Sequence, residues 1–483
     1  MKTARLPIAA LLLTAMLASC GSTGTKADTT AAGTDSTTPE ETTVDIYADL
    51  PEGDFGGREF VFANETESKW AILMLDAEDL NGELINDAVY NRNRLVEDRL
   101  NVKIRCESNP NSYQLKSALV SNVMAGDDPY DVYDINSNLS SALILEDYFH
   151  EIDALKVDLS KPWWNENVME SLTFAGKTYS LASDASIMMW EASLCFMFNK
   201  TMSADLKLDD HYELVRSGKW TFDAAAKTMK LAARDLNGNT ERETEDAWGL
   251  TANLRLMSYL LISGGETIVG TDKDGLPTFD GLTPAMTDKF EKIYNVFFDS
   301  DDVFISARGQ VWKEAGKGWH NVFTDGTALY FFEPIGSSME LRDAKFDWGF
   351  LPLPKYNEAQ EEYITPIIHF THVMHVSKCR ENTEMIGTVL THLAAESKKT
   401  VRPAYFDHII EGKRVQDDDT IEMFDIIFGN QVMNPACIYD WGGVCGTLNN
   451  AGQNRQPEIA SQMAAALPGI KAAIQDTIDF YSK

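Results

Sequence analysis

Apolar and polar positions in the first third of the chain follow two alternating periods. Residues 58–63 (REFVFA) form an apolar run of strand length, and over 81–100 the apolar residues Leu84, Ile85, Ala88, Val89, Leu95, Val96 and Leu100 recur at helical spacing. A second strand is expected over 102–106 (VKIRC), then a helix over 112–125 stopped by GDDP at 126–129. YDVYDI at 130–135 predicts a third strand, and 141–148 a third helix. Strands alternating with helices argue for a parallel sheet flanked by helices, with ligands outside the carboxyl ends of its strands. The loops there begin near Asn64, Ser108 and Asn136.

The pattern resumes after residue 191. Thr221 is placed to cap a helix running to about Arg234, and 284–298 predicts another helix. Strands are expected at 248–251, 328–332 and 347–354, and the last hundred residues read as mainly helical. No internal repeat is visible. Trp163 and Trp164, after Pro162, read as packing residues.

The N-terminus has a different pattern. Lys2 and Arg5 precede an apolar run over 7–17, too short to span a bilayer but right for a secretory signal. It ends in LASCG at 17–21, which resembles the bacterial lipobox and makes Cys20 the expected lipidation site at the end of a signal peptide covering 1–20. The alternative is an ordinary signal peptide with a chance cysteine. Residues 21–43 are almost entirely Gly, Ser, Thr, Ala, Asp and Glu, and a flexible tether is expected over 21–51. Several acyl chains hold such a protein stably on the membrane, at its extracytoplasmic face.

Composition narrows the function classes. The remaining chain is too long for one core and implies two domains or lobes. Against 42 basic residues stand 74 acidic ones, a formal charge of −32 that repels phosphate backbones and argues against nucleic acid. Beyond Cys20 the cysteines are Cys106, Cys195, Cys379, Cys437 and Cys445, without C-x-x-C spacing. Cys437 and Cys445 either close a small loop in an oxidising compartment or stay buried thiols.

Several segments in order carry a resemblance: NDAVYNRN at 86–93, AGDDPYD at 125–131, AGKTY at 175–179, LVRSGKWTFD at 214–223, FTDGTAL at 323–329, GFLPLPK at 349–355 and PAYF at 403–406. Together they resemble the extracellular solute-binding proteins of the maltose-binding class, in their lipoprotein form. The resemblance implies an α/β fold of two lobes, each a mainly parallel sheet flanked by helices, joined by crossing hinge strands near 189–196 and 365–375. Lobe 1 is then 52–190 plus 363–400, and lobe 2 is 191–362 plus 401–483. It implies a monomeric receptor, not an enzyme and without cofactor, that delivers a small solute to the permease of an ABC importer. An oligosaccharide is the favoured solute. A secreted glycan hydrolase and a surface glycan-binding adhesin are the alternatives.

A cleft for a polar solute needs aromatic faces and fixed hydrogen-bonding groups. The candidates are Trp70 after the first strand, Asn136 and Asn138 after the third, Asp184, Trp190 and Glu191 before the first crossing, Glu333 after 328–332, His369, and Trp441 between acidic and glycine residues. Glu191-Ala192 is similar to a Glu-Ala pair of the maltose-binding pattern, offset by one residue. Asn136 and Asn138 replace bulkier family contacts, so maltodextrin itself is not implied.

Two metal readings are weaker. His369, His372 and His375 share one side of a helix, but the surrounding Ile, Val and Thr favour a strand, which turns His372 away from the other two. Residues 235–246 offer oxygen ligands at calcium-loop spacing, yet Thr240 stands where glycine is needed and Asp246 where glutamate is usual; a solvated acidic loop is favoured, and no metal is expected.

Overall fold

The computed structural model describes residues 47–65, 71–253, 255–305, 318–412 and 418–483. Cys20, the tether up to residue 46, and Trp70 lie outside the described residues. Among those described, strands run in the order β1 (Arg58–Glu65), β2 (Val102–Asn109), β3 (Val132–Asn136), β4 (Leu194–Asn199), β5 (Trp248–Ala252), β6 (Gly270–Thr271), β7 (Pro277–Thr278), β8 (Val303–Ile305), β9 (Ala328–Pro334), β10 (Trp348–Leu351), β11 (Thr365–Pro366), β12 (His372–His375) and β13 (Gln431–Val432).

The first sheet has the order β12-β3-β1-β2, with β1 parallel to β2 and β3 and with β12 reversed. Five consecutive buried residues in β1 fit a central strand covered on both faces. The helix Leu84–Leu100 buries Ile85, Val89, Val96 and Leu100, and ends on Asn101 in the left-handed region. The helix Ser112–Ala125 starts with the Asn111 side chain accepting from the Gln114 N–H.

The second sheet has the order β10-β4-β9-β5-β8. Here β5 is parallel to β8 and β9, whereas β4 is antiparallel to both β9 and β10. One strand is therefore reversed in each sheet, and β8-β5-β9-β4 repeats the layout β2-β1-β3-β12. This topological repeat leaves no trace in the residues. Thr221 caps the helix Phe222–Ala232 through the Ala224 N–H, as its position predicts. Gly249 in β5 lets that helix approach closely, because a Cβ there would lie 2.5 Å from the Cβ of Met229.

Two expected helices differ in extent. The third begins at Ser137, not 141, because the Ser137 N–H donates to the Thr371 carbonyl and its Oγ to the His369 carbonyl. The helix at 284 is α-helical to Ile293 and continues as a π turn over Tyr294–Phe298.

Both reversed strands are entered through chain crossings that bond to one another. Ser193 bridges Ile367, the Ile368 N–H donates to the Ala192 carbonyl, and Thr371 Oγ1 lies 3.4 Å from the Met188 carbonyl. A third strap joins them, since β11 pairs in parallel with β13. From β13 the buried Gln431 amide donates to the Met189 carbonyl (2.8 Å) and Ser193 Oγ (2.7 Å), and accepts from Asn165 (2.7 Å). Replacing it leaves the buried Met189 carbonyl and Ser193 hydroxyl without this partner. Gln431→Ala should lower unfolding stability by about 2 kcal/mol, read as an earlier urea midpoint with unchanged slope.

Candidate functional site

β4 begins opposite the carboxyl end of β9 (Leu194 against Pro334), and β12 opposite that of β3 (His372 against Asn136). The crossings therefore adjoin the carboxyl edges of both sheets. Those edges are where an open α/β sheet presents loop residues to a ligand.

On the first edge, Glu65 ends β1. Its carboxylate accepts from Ser112 Oγ at 2.6 Å and lies 3.1 Å from His372 Nε2, whose Nδ1 is 3.4 Å from Asp134. Burial alone would lower the His372 pKa; the carboxylates of Asp134 and Glu65 instead raise it to about 9. Asn136 is the last residue of β3, and Asn138 lies in the first turn of the helix Ser137–Leu145. Both side-chain oxygens are buried without a hydrogen-bond partner. Buried acceptors are seldom left this way unless something else supplies the donor.

On the second edge, the Glu333 carboxylate accepts from the Trp319 indole (2.6 Å) and from Asn253 (3.0 Å), with His320 at 3.9 Å. Burial raises its pKa against those bonds. Trp319 and Asn253 were not singled out by sequence reasoning. Trp319 precedes Glu333 by fourteen positions on a different element, and no spacing rule links them.

The crossings hold the rest. Glu191 accepts from the Ile72 N–H (3.1 Å), and burial pushes it up to about 7 despite the Tyr405 hydroxyl and Arg342. It lines a small cavity with Ser338, Arg342, Trp348 and His408. Asp184, pushed by burial to about 6, lies 3.7 Å from Arg402 and 3.8 Å from Lys398. His369 sits in a turn before β12. Its backbone N–H donates to the Tyr259 hydroxyl, whose oxygen lies 2.6 Å from Nδ1; burial holds the imidazole down at about 3, so it is neutral.

The structure gathers Asn136, Asn138, Glu191, Glu333 and His369 along the two edges and the crossings between them. The two tryptophans are used differently. Trp190 is buried against Tyr405 (5.5 Å) and Phe406 (6.0 Å) of the helix Val401–Gly412. Trp441, in a short turn, stacks on Tyr439 at 5.0 Å and donates its indole N–H to Thr477. Both faces are taken up by protein here.

The two metal-like patterns have other partners. His375 stacks on Phe149 and bonds the Tyr179 carbonyl, so the three histidines occupy three separate environments. In the 235–246 loop, Asp235 accepts backbone N–H groups of Asn237, Gly238 and Thr240, and Asp246 those of Leu236 and Glu243. These oxygens already serve the loop itself.

The pattern of the bacterial extracellular solute-binding proteins matches residues 93–378, more than half of the chain. Similar solved structures include a sugar transporter from Rhizobium etli in an open conformation, 13% identical, covering 86% of this chain and 99% of that one, with a TM-score of 0.59. An ABC substrate-binding protein from Listeria monocytogenes in complex with cycloalternan is 13% identical over 87% and 99%, with a TM-score of 0.54. UgpB from Mycobacterium tuberculosis in complex with glycerophosphocholine is 12% identical over 82% and 99%, with a TM-score of 0.53. At such identities the likeness concerns the fold, and that fold is the two-lobed one. No curated protein sequence matches.

Two of the raised groups, Glu191 and His372, predict stability that falls with rising pH. For Glu191 the folded pKa of about 7 exceeds the ordinary 4.5, so its contribution is complete below 4.5 and lost as pH rises through about 7. For His372 the same sign places the loss between 6.5 and about 9. Glu191→Gln should flatten the lower window and His372→Gln the upper, each by on the order of 3 kcal/mol at most. Urea midpoints measured from pH 4.5 to 9 read both; unchanged profiles would reject the assignments.

Proposed function

The chain belongs to the bacterial extracellular solute-binding protein family, and from that premise we propose that it is the lipid-anchored receptor of an ABC importer, delivering a small solute, best an oligosaccharide. The observation that carries this reading is the pair of carboxyl edges across bonded crossings, where Asn136 and Asn138 hold buried acceptors without donors. A solute rich in hydroxyls supplies donors to both and accepts from an amide or a neutral carboxyl. Burial pushes Glu191 up to about 7, which favours partners that tolerate a neutral acid. The Listeria relative, bound to cycloalternan, supports the oligosaccharide class.

In this reading residues 52–190 plus 363–400 act as one lobe and 191–362 plus 401–483 as the other. The helix Val401–Gly412 packs on the helix Leu84–Leu100 and Pro435–Tyr439 on Ser137–Leu145, both of the first lobe, while Val444–Gln453 packs on Leu256–Ser263 of the second, so C-terminal helices brace both. Ligand contacts come from Asn136 and Asn138 on one side, Glu333 on the other, and Asp184, Glu191 and His369 between. Trp70 adds a stacking face on sequence grounds. Trp190 and Trp441 reach ligand only if their aromatic neighbours repack. Cys20 carries the lipid, the tether of 21–51 gives reach, and the monomer presents its closed form to the permease.

Two measurements test this. Thermal-shift screening of a sugar library should find a stabilising ligand, and with it solution scattering should give a smaller radius of gyration. Asn138→Ala and Glu333→Ala should each weaken binding roughly ten- to hundredfold. Full affinity in both variants, or an unchanged radius, rejects the cleft. Separately, Cys20→Ala should leave the detergent phase and accumulate as precursor or in the medium; partitioning like the parent chain rejects the anchor.

A further inference from the structure

Cys437 and Cys445 lie at a place where the chain passes from one lobe's surroundings to the other's. Cys437 is in the helix Pro435–Tyr439, which packs on the helix Ser137–Leu145 behind the first sheet. Cys445 is in the helix Val444–Gln453, which packs on Leu256–Ser263 beside the second. That second contact is fastened by Asn449, which accepts from the Ser258 N–H at 3.0 Å and donates to Ser258 Oγ at 3.1 Å. The two sulfurs are 3.2 Å apart and buried, with 4% and 1% of each residue exposed.

The turn between them holds this register without the sulfurs' help. Asp440 sits in the left-handed region at φ 40°, and its Oδ1 accepts the N–H groups of Cys445 (2.9 Å) and Gly446 (3.3 Å). Gly442 follows at φ 56°, and a Cβ there would lie 2.4 Å from the Ile470 nitrogen, so only glycine fits the bend. Trp441, on the same turn, is fixed by Tyr439 and Thr477. The other described cysteines have different neighbours: Cys195 faces the Glu333 carbonyl and Cys379 that of Val123.

We propose that Cys437 and Cys445 are joined by a disulfide in the exported protein, a staple across the third strap of the waist. The proposal rests on the extracytoplasmic place of the family, where disulfides persist, and not on the identity of the solute. A sulfur–sulfur bond is about 2 Å long, so an approach of about 1 Å closes it. The oxidant is a disulfide of the thiol–disulfide exchange type. One thiolate attacks it and displaces a thiolate; the second cysteine attacks the mixed disulfide. Two protons and two electrons leave the pair, and the donor disulfide ends as a dithiol. The hydrogen bond with Cys437, together with burial, raises the Cys445 thiol well above its ordinary range, so exchange belongs to folding after export, before the turn is covered.

No Lys or Arg lies between Arg414 and Arg455, so one tryptic peptide carries both cysteines. Protein exported by a bacterial host is denatured with an alkylating agent and no reductant, then digested. The peptide should be lighter than its dithiol form by two hydrogens and take no alkyl group until dithiothreitol is added, while Cys106, Cys195 and Cys379 are alkylated directly. Reduced protein refolded in a glutathione redox buffer should close the same bond, which separates the geometry from the compartment. A peptide alkylated twice in both preparations overturns the proposal. Cys445→Ser should expose Cys437 to alkylation and, like reduction of the parent chain, lower the melting temperature by a few degrees. A bond that forms with no change in melting temperature on reduction overturns its role as a staple.

Discussion

Three chain segments pass the waist of this protein, and the Gln431 amide ties them together. It reaches the Met189 carbonyl and the Ser193 hydroxyl in the first crossing, and β13 pairs with β11 in the second. A buried amide with its donors and its acceptor engaged costs nothing further to desolvate, whereas any slip of one segment past another leaves several groups unpaired. The strands are thereby held in one register where the chain passes between the two sheets. Because β4 and β12 both start here and both run against their neighbours, the carboxyl edges of the two sheets adjoin the same waist. The location of the candidate cleft follows from that.

The repeated strand order supports the same argument. In each lobe two parallel neighbours flank a central strand, and one reversed strand is fed from the waist. A reversed strand lets the chain enter at the carboxyl edge, which a parallel strand entered through a short crossing cannot do. Each lobe thus gains a strand without a long connection, and both edges keep their polar loop residues beside the crossings. The residues share no repeat because only burial and direction are repeated, and many apolar sequences satisfy both.

Elements with strong periodicity were legible in the chain: β1, β2 and the helices Leu84–Leu100, Ser112–Ala125 and Phe222–Ala232 stand where their patterns place them. The start of the helix Ser137–Leu145 was not, because it is set by donation to Thr371 and His369, more than two hundred positions away. The same holds for the site. Glu333 was visible as an acid ending an apolar strand, but its partners Trp319 and Asn253 come from other elements. Trp190 and Trp441 show the converse. A tryptophan beside acids or glycines looks free in one dimension, yet here each is packed in the interior against aromatics from the C-terminal helices.

A ligand closes a hinged pair of lobes only by binding the closed form better than the open one, so groups that are already satisfied contribute little to the shift. Glu333 already holds Trp319 and Asn253, and Glu191 the Ile72 N–H. On the proposed reading, those residues orient the solute. Asn136 and Asn138 are different, since their oxygens are shielded from water and unpaired. On the proposed reading, a hydroxyl that reaches both gains more there than at an acceptor already bonded. The discrimination between solutes would then come from the first lobe, at the two positions where this chain departs from the maltose-binding pattern, and the second lobe would supply the wall against which the solute is held.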